Sequence, residues 1–536
     1  MISAYSGTQV RAAEEPLLAA GLGDVLMQRA AHGLANAVVT ELRSRGDRVY
    51  GTRVVVLAGK GNNGGDGLYA AAFLASRGMR TTAVLTGGAA HPAALAAFRR
   101  AGGRAEELTE KSLEPLAAET RRAGVVMDAI LGTGAEGGLR GSAAALVEAV
   151  LEARDAAGSN GFVVACDLPS GVNADTGEAA GPVLPADLTV TFGGAKAGLL
   201  ADPGADRAGR VHVVPIGIEE HLPAPVLRRL GDAELSGLLP HPARRAHKYS
   251  RGVLGIVAGS VQYPGAAVLA CRGALAAGVG MVRYLGPPEV ADLVRHSCPE
   301  VVCSDGSVAD NRVQAWLVGP GMGPEDHEQL ARARAAIESG LPVVADAGAL
   351  PALPRKLAPH VVLTPHAGEL AALLKRLEGE ADARFGDREA VEAATFEAVR
   401  KAADLTGATV LLKGPATLVA APGGGAFSQA DGTPWLATAG SGDVLAGVIG
   451  ALLAQAGPAV DRFRPMGIDD DGRWAALAAL GAALHGTAGR AASDARSGGP
   501  ITAGAVADAI PEIWGKVSML SNSGALKRNS HSQPLR

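Results

Sequence analysis

The chain has 536 residues, of which 48% are hydrophobic, 19% charged and 3% aromatic, with a net charge of −4. That apolar content is enough for globular cores and excludes global disorder, and the acidic balance gives no support to a broad face for nucleic acid. Glycine occurs 73 times without a three-residue period, which excludes collagen.

In chain order, Met1–Gln9 lacks a basic segment followed by an apolar core, so no secretory leader is expected. Residues 10–45 read as helices. Apolar, β-prone runs then follow at Val54–Ala58, Thr82–Leu85, Val125–Ala129, Phe162–Ala165, Leu188–Phe192 and Val211–Val214. Runs without polar alternation suggest parallel strands covered on both faces. The Ala-rich stretches between them are long enough for crossover helices. A Rossmann-like, open parallel-sheet α/β domain is therefore expected over residues 1–225.

The proline-broken, charged stretch 219–247 marks a junction. Beyond it come Leu254–Ala258, Met281–Tyr284, Trp316–Val318, Val343–Ala345, Val361–Leu363, Val410–Leu412 and Thr417–Ala420. These predict a second α/β domain over 240–515. Glu378–Ala403 reads as a solvated helix with some loop, and 516–536 as a disordered tail. The apolar stretch Val444–Val460 reads as a buried helix plus turn, so no membrane span is expected. The four cysteines lack zinc-like spacing and fit a reducing, cytoplasmic setting.

Residues 58–67 read AGKGNNGGDG between a strand and a helix. The glycines permit close backbone approach, and the amides at the helix start can bind phosphate. A plain tight turn would use the same glycines, but Asn62, Asn63 and Asp66 crowd three polar side chains into it. Asp128 and Asp167 also fall at strand ends, followed by the glycine loop Gly132–Gly138 and by Ser170. Each acid alone can cap a helix. Together they can share one crevice, because ligands of open parallel sheets gather at the carboxyl ends of strands.

These segments resemble the YjeF N-terminal family, the NAD(P)H-hydrate epimerases. The resemblance covers about residues 10–220. It implies substrate contacts at Asn62, Asn63, Gly64, Gly65, Asp66, Gly132, Thr133, Gly134, Ala135, Glu136, Gly137, Gly138 and Asp167. It also implies a potassium ion held by Asn63, Asp128 and Ser170, and Asp167, helped by Asp128, is the candidate to shuttle a proton at such a site.

The second domain carries TAGSGDVLAGVIG, in which glycines precede a long apolar helix. Amides around Gly440–Gly442 can stabilise a transferring phosphoryl group. Asp443 can cap the helix, accept a proton from a substrate hydroxyl, or do both. Lys413-Gly414-Pro415-Ala416-Thr417 is either a turn between strands or a nucleotide phosphate cradle charged by Lys413. His366 alone is a structural hydrogen-bonding residue as readily as a ligand contact.

This set resembles the YjeF C-terminal family, the NAD(P)H-hydrate dehydratases, over roughly residues 240–515. The resemblance implies a ribokinase-like fold. It places substrate contacts at Ala266 or Ala267, at Gly321 or Gly323, and at His366 and Asp443, with Asp443 catalytic. It places adenine-nucleotide contacts at Lys413, Gly414, Pro415, Ala416, Thr417 and Gly442, with ADP as co-substrate and Mg2+ beside it. The two resemblances in one chain imply repair of hydrated NADH and NADPH (NADHX and NADPHX) by a homo-oligomer, with neither nucleic-acid nor membrane partners. A small-molecule kinase of the same fold, or a non-catalytic nucleotide-binding protein, is the alternative.

Overall fold

The computed structural model describes the chain except residues 136, 158–160, 380–383, 458 and 530–536. It divides into two compact units, one of Ser3–Leu227 and one of Met1–Ile2 with Arg228–Arg536.

In the N-terminal unit, helices Gly7–Ala19 and Gly23–Ser44 precede the main sheet. Ser6 and Gln9 close the first helix with a reciprocal capping box. Seven strands follow in spatial order Arg104–Glu107, Arg80–Leu85, Arg53–Ala58, Val125–Ala129, Phe162–Cys166, Leu188–Phe192 and Arg210–Val214. All are parallel. The central strands Val125–Ala129 and Phe162–Cys166 are buried at every residue, which is why they read as unbroken apolar runs. A separate short pairing sets Ala4 opposite Ala195 and Tyr5 opposite Lys196. Phe98 and Phe162 are wholly enclosed, each contributing roughly 1.5–3 kcal/mol of burial.

The C-terminal sheet runs Val302–Ser304, Met281–Leu285, Val253–Val257, Ala315–Val318, Val343–Ala345, Val361–Leu363, Thr409–Leu412, Thr417–Ala420 and Ala426–Gln429. It is parallel up to Thr409–Leu412 and antiparallel through the last two strands. Helix Ser441–Ala456 packs on Pro264–Ala276 and Gly472–Asp494 in the middle of this core.

Of the tail expected over 516–536, residues 530–536 lie outside the described residues, and 516–529 are helical. One helix runs Ala503–Asn529. Val506, Ala507, Ile510, Ile513 and Val517 bury one face of it, and Lys516 pairs with Glu512 one turn back. The polar composition past 516 hid a helix whose anchorage lies upstream. The expected solvated stretch at 378–403 also differs, because helix Thr395–Thr406 buries Phe396, Ala398, Val399 and Ala402. Among the described residues no single helix is long and apolar enough to cross a membrane. A bent pair, Ser441–Ala456 with Val460–Met466, meets that test by length and composition, and its first helix is almost wholly buried.

Candidate active sites

The first site is built at the carboxyl ends of the N-terminal strands. Strand Arg53–Ala58 turns through Gly59–Gly61 into helix Asn62–Ser76. A Cβ at Gly64 would stand 2.0 Å from the Gly59 carbonyl oxygen, so only glycine allows the turn to close this tightly. Asn63 Nδ2 donates to the Leu131 carbonyl at 2.9 Å. The Leu131 amide in turn donates to Ser170 Oγ at 2.9 Å. Ser170 Oγ donates to Asp128 Oδ1 at 2.6 Å, and its amide to Asp128 Oδ2 at 2.8 Å. Leu131 thus links Asn63, Asp128 and Ser170, which lie far apart in sequence.

Asp128 is 1% exposed and has no salt-bridge partner among the described residues. Burial pushes its carboxyl up, against the hydrogen bonds from Ser170 and Ile130. A buried carboxylate with amide and hydroxyl oxygens beside it suits a hard, weakly held cation.

Asp167 follows strand Phe162–Cys166 with φ +67°, a left-handed backbone rare outside glycine. Its Oδ1 accepts from Lys196 Nζ at 2.5 Å and Thr191 Oγ1 at 3.0 Å. Its Oδ2 accepts from Thr133 Oγ1 at 2.5 Å and the Thr133 amide at 3.2 Å. Burial alone would raise this carboxyl, but Lys196 and the Thr133 donors outweigh it and hold Asp167 low. Lys196 was not singled out from the sequence. Its only signal there was a lysine inside the apolar run TFGGAKAGLL. Asn62, Asn63, Asp66, Gly132, Thr133, Gly134, Ala135, Gly138, Asp167 and Lys196 line a cavity of about 840 Å³. Gly64 and Gly65 are buried at the start of helix Asn62–Ser76, Gly137 turns the loop with φ +77°, and Glu136 lies outside the described residues.

The second site gathers strand ends of the C-terminal sheet. Gly321 has φ +66°, and a Cβ there would meet Ala266 Cβ at 2.6 Å and the Tyr263 carbonyl at 2.7 Å. Ala266 therefore faces the glycine loop, whereas Ala267 is sealed in the core beside Gly259. Gly323 sits at the open side of that loop, with nothing near the position of a Cβ. His366 caps helix Ala367–Glu378. Its Nδ1 accepts from the Gly368 and Glu369 amides at 3.1 and 3.3 Å, and its own amide donates to Glu369 Oε2 at 2.9 Å.

Lys413 ends strand Thr409–Leu412 and forms a parallel bridge with His366. Its Nζ lies 2.8 Å from Asp346 Oδ1 and 3.8 Å from Glu369 Oε2. Burial opposes the Lys413 charge, but Asp346, Glu369 and Asp443 together hold it above its ordinary value. Gly414 and Pro415 are exposed in the following turn, Ala416 is buried, and Thr417 Oγ1 donates to the Gly414 carbonyl at 3.2 Å. Asp346 was missed in the sequence, although it ends a strand as Asp128 and Asp167 do. It is 2% exposed and accepts from Thr364 Oγ1 at 2.8 Å.

Helix Ser441–Ala456 begins after Gly440, whose φ is +85°. The position of a Gly442 Cβ stands 3.5 Å from Lys413 Nζ, so the helix start and the lysine share one space. Burial, and then the charge of Asp346, push Asp443 up to about 6, with Lys413 opposing. Ser441 Oγ meets His485 Nε2 at 3.2 Å, and burial lowers His485 to about 4.

The chain matches the family described as "YjeF-related protein N-terminus" over residues 23–198, and "NAD(P)H-hydrate dehydratase" over 254–512. It is 43% identical over 462 residues to the "Bifunctional NAD(P)H-hydrate repair enzyme Nnr" of Mycobacterium tuberculosis (strain CDC 1551 / Oshkosh), covering 85% of this chain and 89% of that one. It is 32% identical to the protein of that name from Corynebacterium glutamicum, covering 96% and 99%. A solved ADP/ATP-dependent NAD(P)H-hydrate dehydratase from Bacillus subtilis, co-crystallised with ATP/Mg2+, is 26% identical with a TM-score of 0.45. That likeness covers 54% of this chain and 98% of that one. The two units are a Rossmann-like and a ribokinase-like α/β domain.

Proposed function

Since the chain belongs to the family of bifunctional NAD(P)H-hydrate repair enzymes, we propose that each unit performs one step of that repair. The N-terminal unit interconverts the R and S epimers of NADHX and NADPHX at C6 of the nicotinamide ring. The C-terminal unit uses ADP to dehydrate the S epimer, giving NADH or NADPH, AMP and phosphate. The observation that carries this reading is the meeting of Lys413, Asp443 and the Gly440–Gly442 amides at one helix start.

In the second step Asp443 takes the proton of the C6 hydroxyl. Its raised affinity for a proton suits a base working near neutrality. The oxygen then attacks the β-phosphoryl group of ADP, and AMP leaves. Lys413 faces the phosphates, and the amides at the helix start receive the developing negative charge. The phosphorylated hydrate loses phosphate and the C5 proton, which restores the dihydropyridine. The acidic oxygens of Asp346 and Glu369 flank Lys413 and suit Mg2+ carried with the nucleotide, which would neutralise phosphate charge.

In the first step the 840 Å³ cavity encloses the hydrated ring, with Asp167 fixed as an anion beside it. Asn63, Asp128 and Ser170 would hold potassium, which supplies positive charge for the substrate's phosphates. Asn62 and the Gly132–Gly138 loop position the substrate, as His366, Ala266 and Gly321 do in the second site. Purified protein given mixed R and S NADPHX, potassium and ADP tests the reading through absorbance at 340 nm and AMP by chromatography. Recovery beyond the initial S fraction with matching AMP is expected. A stable phosphorylated product, or no response to ADP, overturns it.

A further inference from the structure

Three acids, Glu14, Asp66 and Asp167, line the first cavity, and Asp66 and Asp167 are held in opposite ways. Asp167 accepts four hydrogen bonds, two on each oxygen. Taking up a proton would displace at least one of these donors. Asp66, the fifth residue of helix Asn62–Ser76, accepts no side-chain hydrogen bond and forms no salt bridge among the described residues. Its carboxyl opens on the same cavity, at the strand-end crevice where the reacting ring must lie. Burial, followed by the charges of Asp167 and Glu14, drives Asp66 well above the ordinary carboxylate range, with Lys196 opposing.

We propose that Asp66 is the catalytic proton carrier of the first site, while Lys196 is a positioning residue that fixes Asp167 as a permanent anion. The inference rests on the epimerase reading of this cavity. The neutral Asp66 carboxyl gives its proton to the C6 hydroxyl oxygen. The C6–O bond breaks and its electron pair leaves with water. The N1 lone pair forms an N1–C6 double bond, and the resulting cation faces the fixed charge of Asp167. Water then adds to either face of C6, N1 recovers its pair, and the released proton returns to Asp66. Nothing is oxidised and no co-reactant other than water is used. One environment keeps a carboxyl neutral and the other keeps its neighbour charged, which divides acid from anion between two like residues.

The charged groups around Asp66 are Glu14 and Arg11 on helix Gly7–Ala19, Lys60 in the preceding turn, and Asp167, Lys196 and Arg140 across the cavity. The Cys166 thiol lies among them, pushed well up by burial. Glu14 is the competing carboxyl, also raised by burial. It belongs to an outer helix rather than to a strand-end loop.

The test uses the full chain and follows R-to-S interconversion of NADPHX without ADP, by chromatography. ADP-dependent consumption of purified S epimer reports separately on the second unit. Asp66→Asn is expected to lower kcat for interconversion by at least about 100-fold, the contribution of a general acid, with little change in KM. Asp66→Glu, which keeps the carboxyl, retains a measurable part of the rate. Glu14→Gln keeps most of it. Lys196→Met lowers kcat, and Lys196→Arg restores part. An Asp66→Asn chain with wild-type kcat, a loss confined to KM, or a larger loss in Glu14→Gln overturns the assignment. A wild-type chain that consumes S but never converts R overturns the epimerase reading itself.

Discussion

Lys196 Nζ and Asp167 Oδ1 stand 2.5 Å apart, with side chains 2% and 11% exposed. A pair so enclosed is costly to break from one side only. Lys196→Met would leave a buried, uncompensated carboxylate and destabilise the N-terminal unit by about 3–5 kcal/mol. Lys196→Met combined with Asp167→Asn recovers much of that loss. Urea unfolding of the two single variants and the double variant measures the coupling.

Asp443→Asn keeps the shape of the side chain and removes the base. AMP formation from S-NADPHX and ADP is expected to fall at least about 100-fold, while R-to-S interconversion continues unchanged. Hydrate-dependent release of AMP at the wild-type rate would contradict the role given to Asp443.

Lys413→Met removes the charge facing the nucleotide. The KM for ADP is expected to rise roughly tenfold or more, as for loss of one charge-assisted contact. Asp346, 2% exposed, also loses its cationic partner, so a lowered unfolding temperature accompanies the change. Steady-state kinetics over a range of ADP separates the two effects.

His485 titrates in the ordinary histidine range when unfolded and near 4 when buried beside Ser441. Between these values the unfolded chain binds the extra proton. The contribution of His485 is therefore complete above about pH 6.5 and is lost as pH falls toward 4, on the order of 3 kcal/mol in all. His485→Gln should flatten the acid limb of the unfolding temperature between pH 6.5 and 4. An unaltered limb would show that other groups set it.

Replacing potassium with a large organic cation is expected to slow interconversion of the epimers and leave consumption of the S form unaffected. Ser170→Ala, which removes one oxygen from the Asn63–Asp128–Ser170 cluster, should weaken the response to potassium. Titration of the rate with potassium chloride, at ionic strength held with choline chloride, measures both.

The strands that position both sites were legible because they are buried on both faces and so are apolar throughout. The edge strands Arg104–Glu107 and Val302–Ser304 escaped notice for the converse reason: Arg104, Glu107 and Val302 are exposed, and the segments carry polar residues. Motif residues announced themselves through glycine loops placed after strands. Lys196 and Asp346 did not. Each gains its meaning from a partner 29 or 67 residues away, Asp167 and Lys413, and local sequence holds no trace of such a pairing. The left-handed backbone at Asp167 was equally silent, since no glycine marks it. His485 lies in a helix of alanines and glycines, and only the packing of that helix on Ser441–Ala456 brings it to Ser441.

The glycine at 442 separates two quantities that usually travel together. It lies in the first turn of a helix, where alanine is the better helix former by up to ~1 kcal/mol. An added methyl would touch only Lys413, at ordinary contact distance. Gly442→Ala would therefore give a hardier protein and, on the proposed function, one whose space for the nucleotide phosphates is partly filled. Selection for thermal endurance alone would drive this position toward alanine, and only selection for turnover would hold it at glycine.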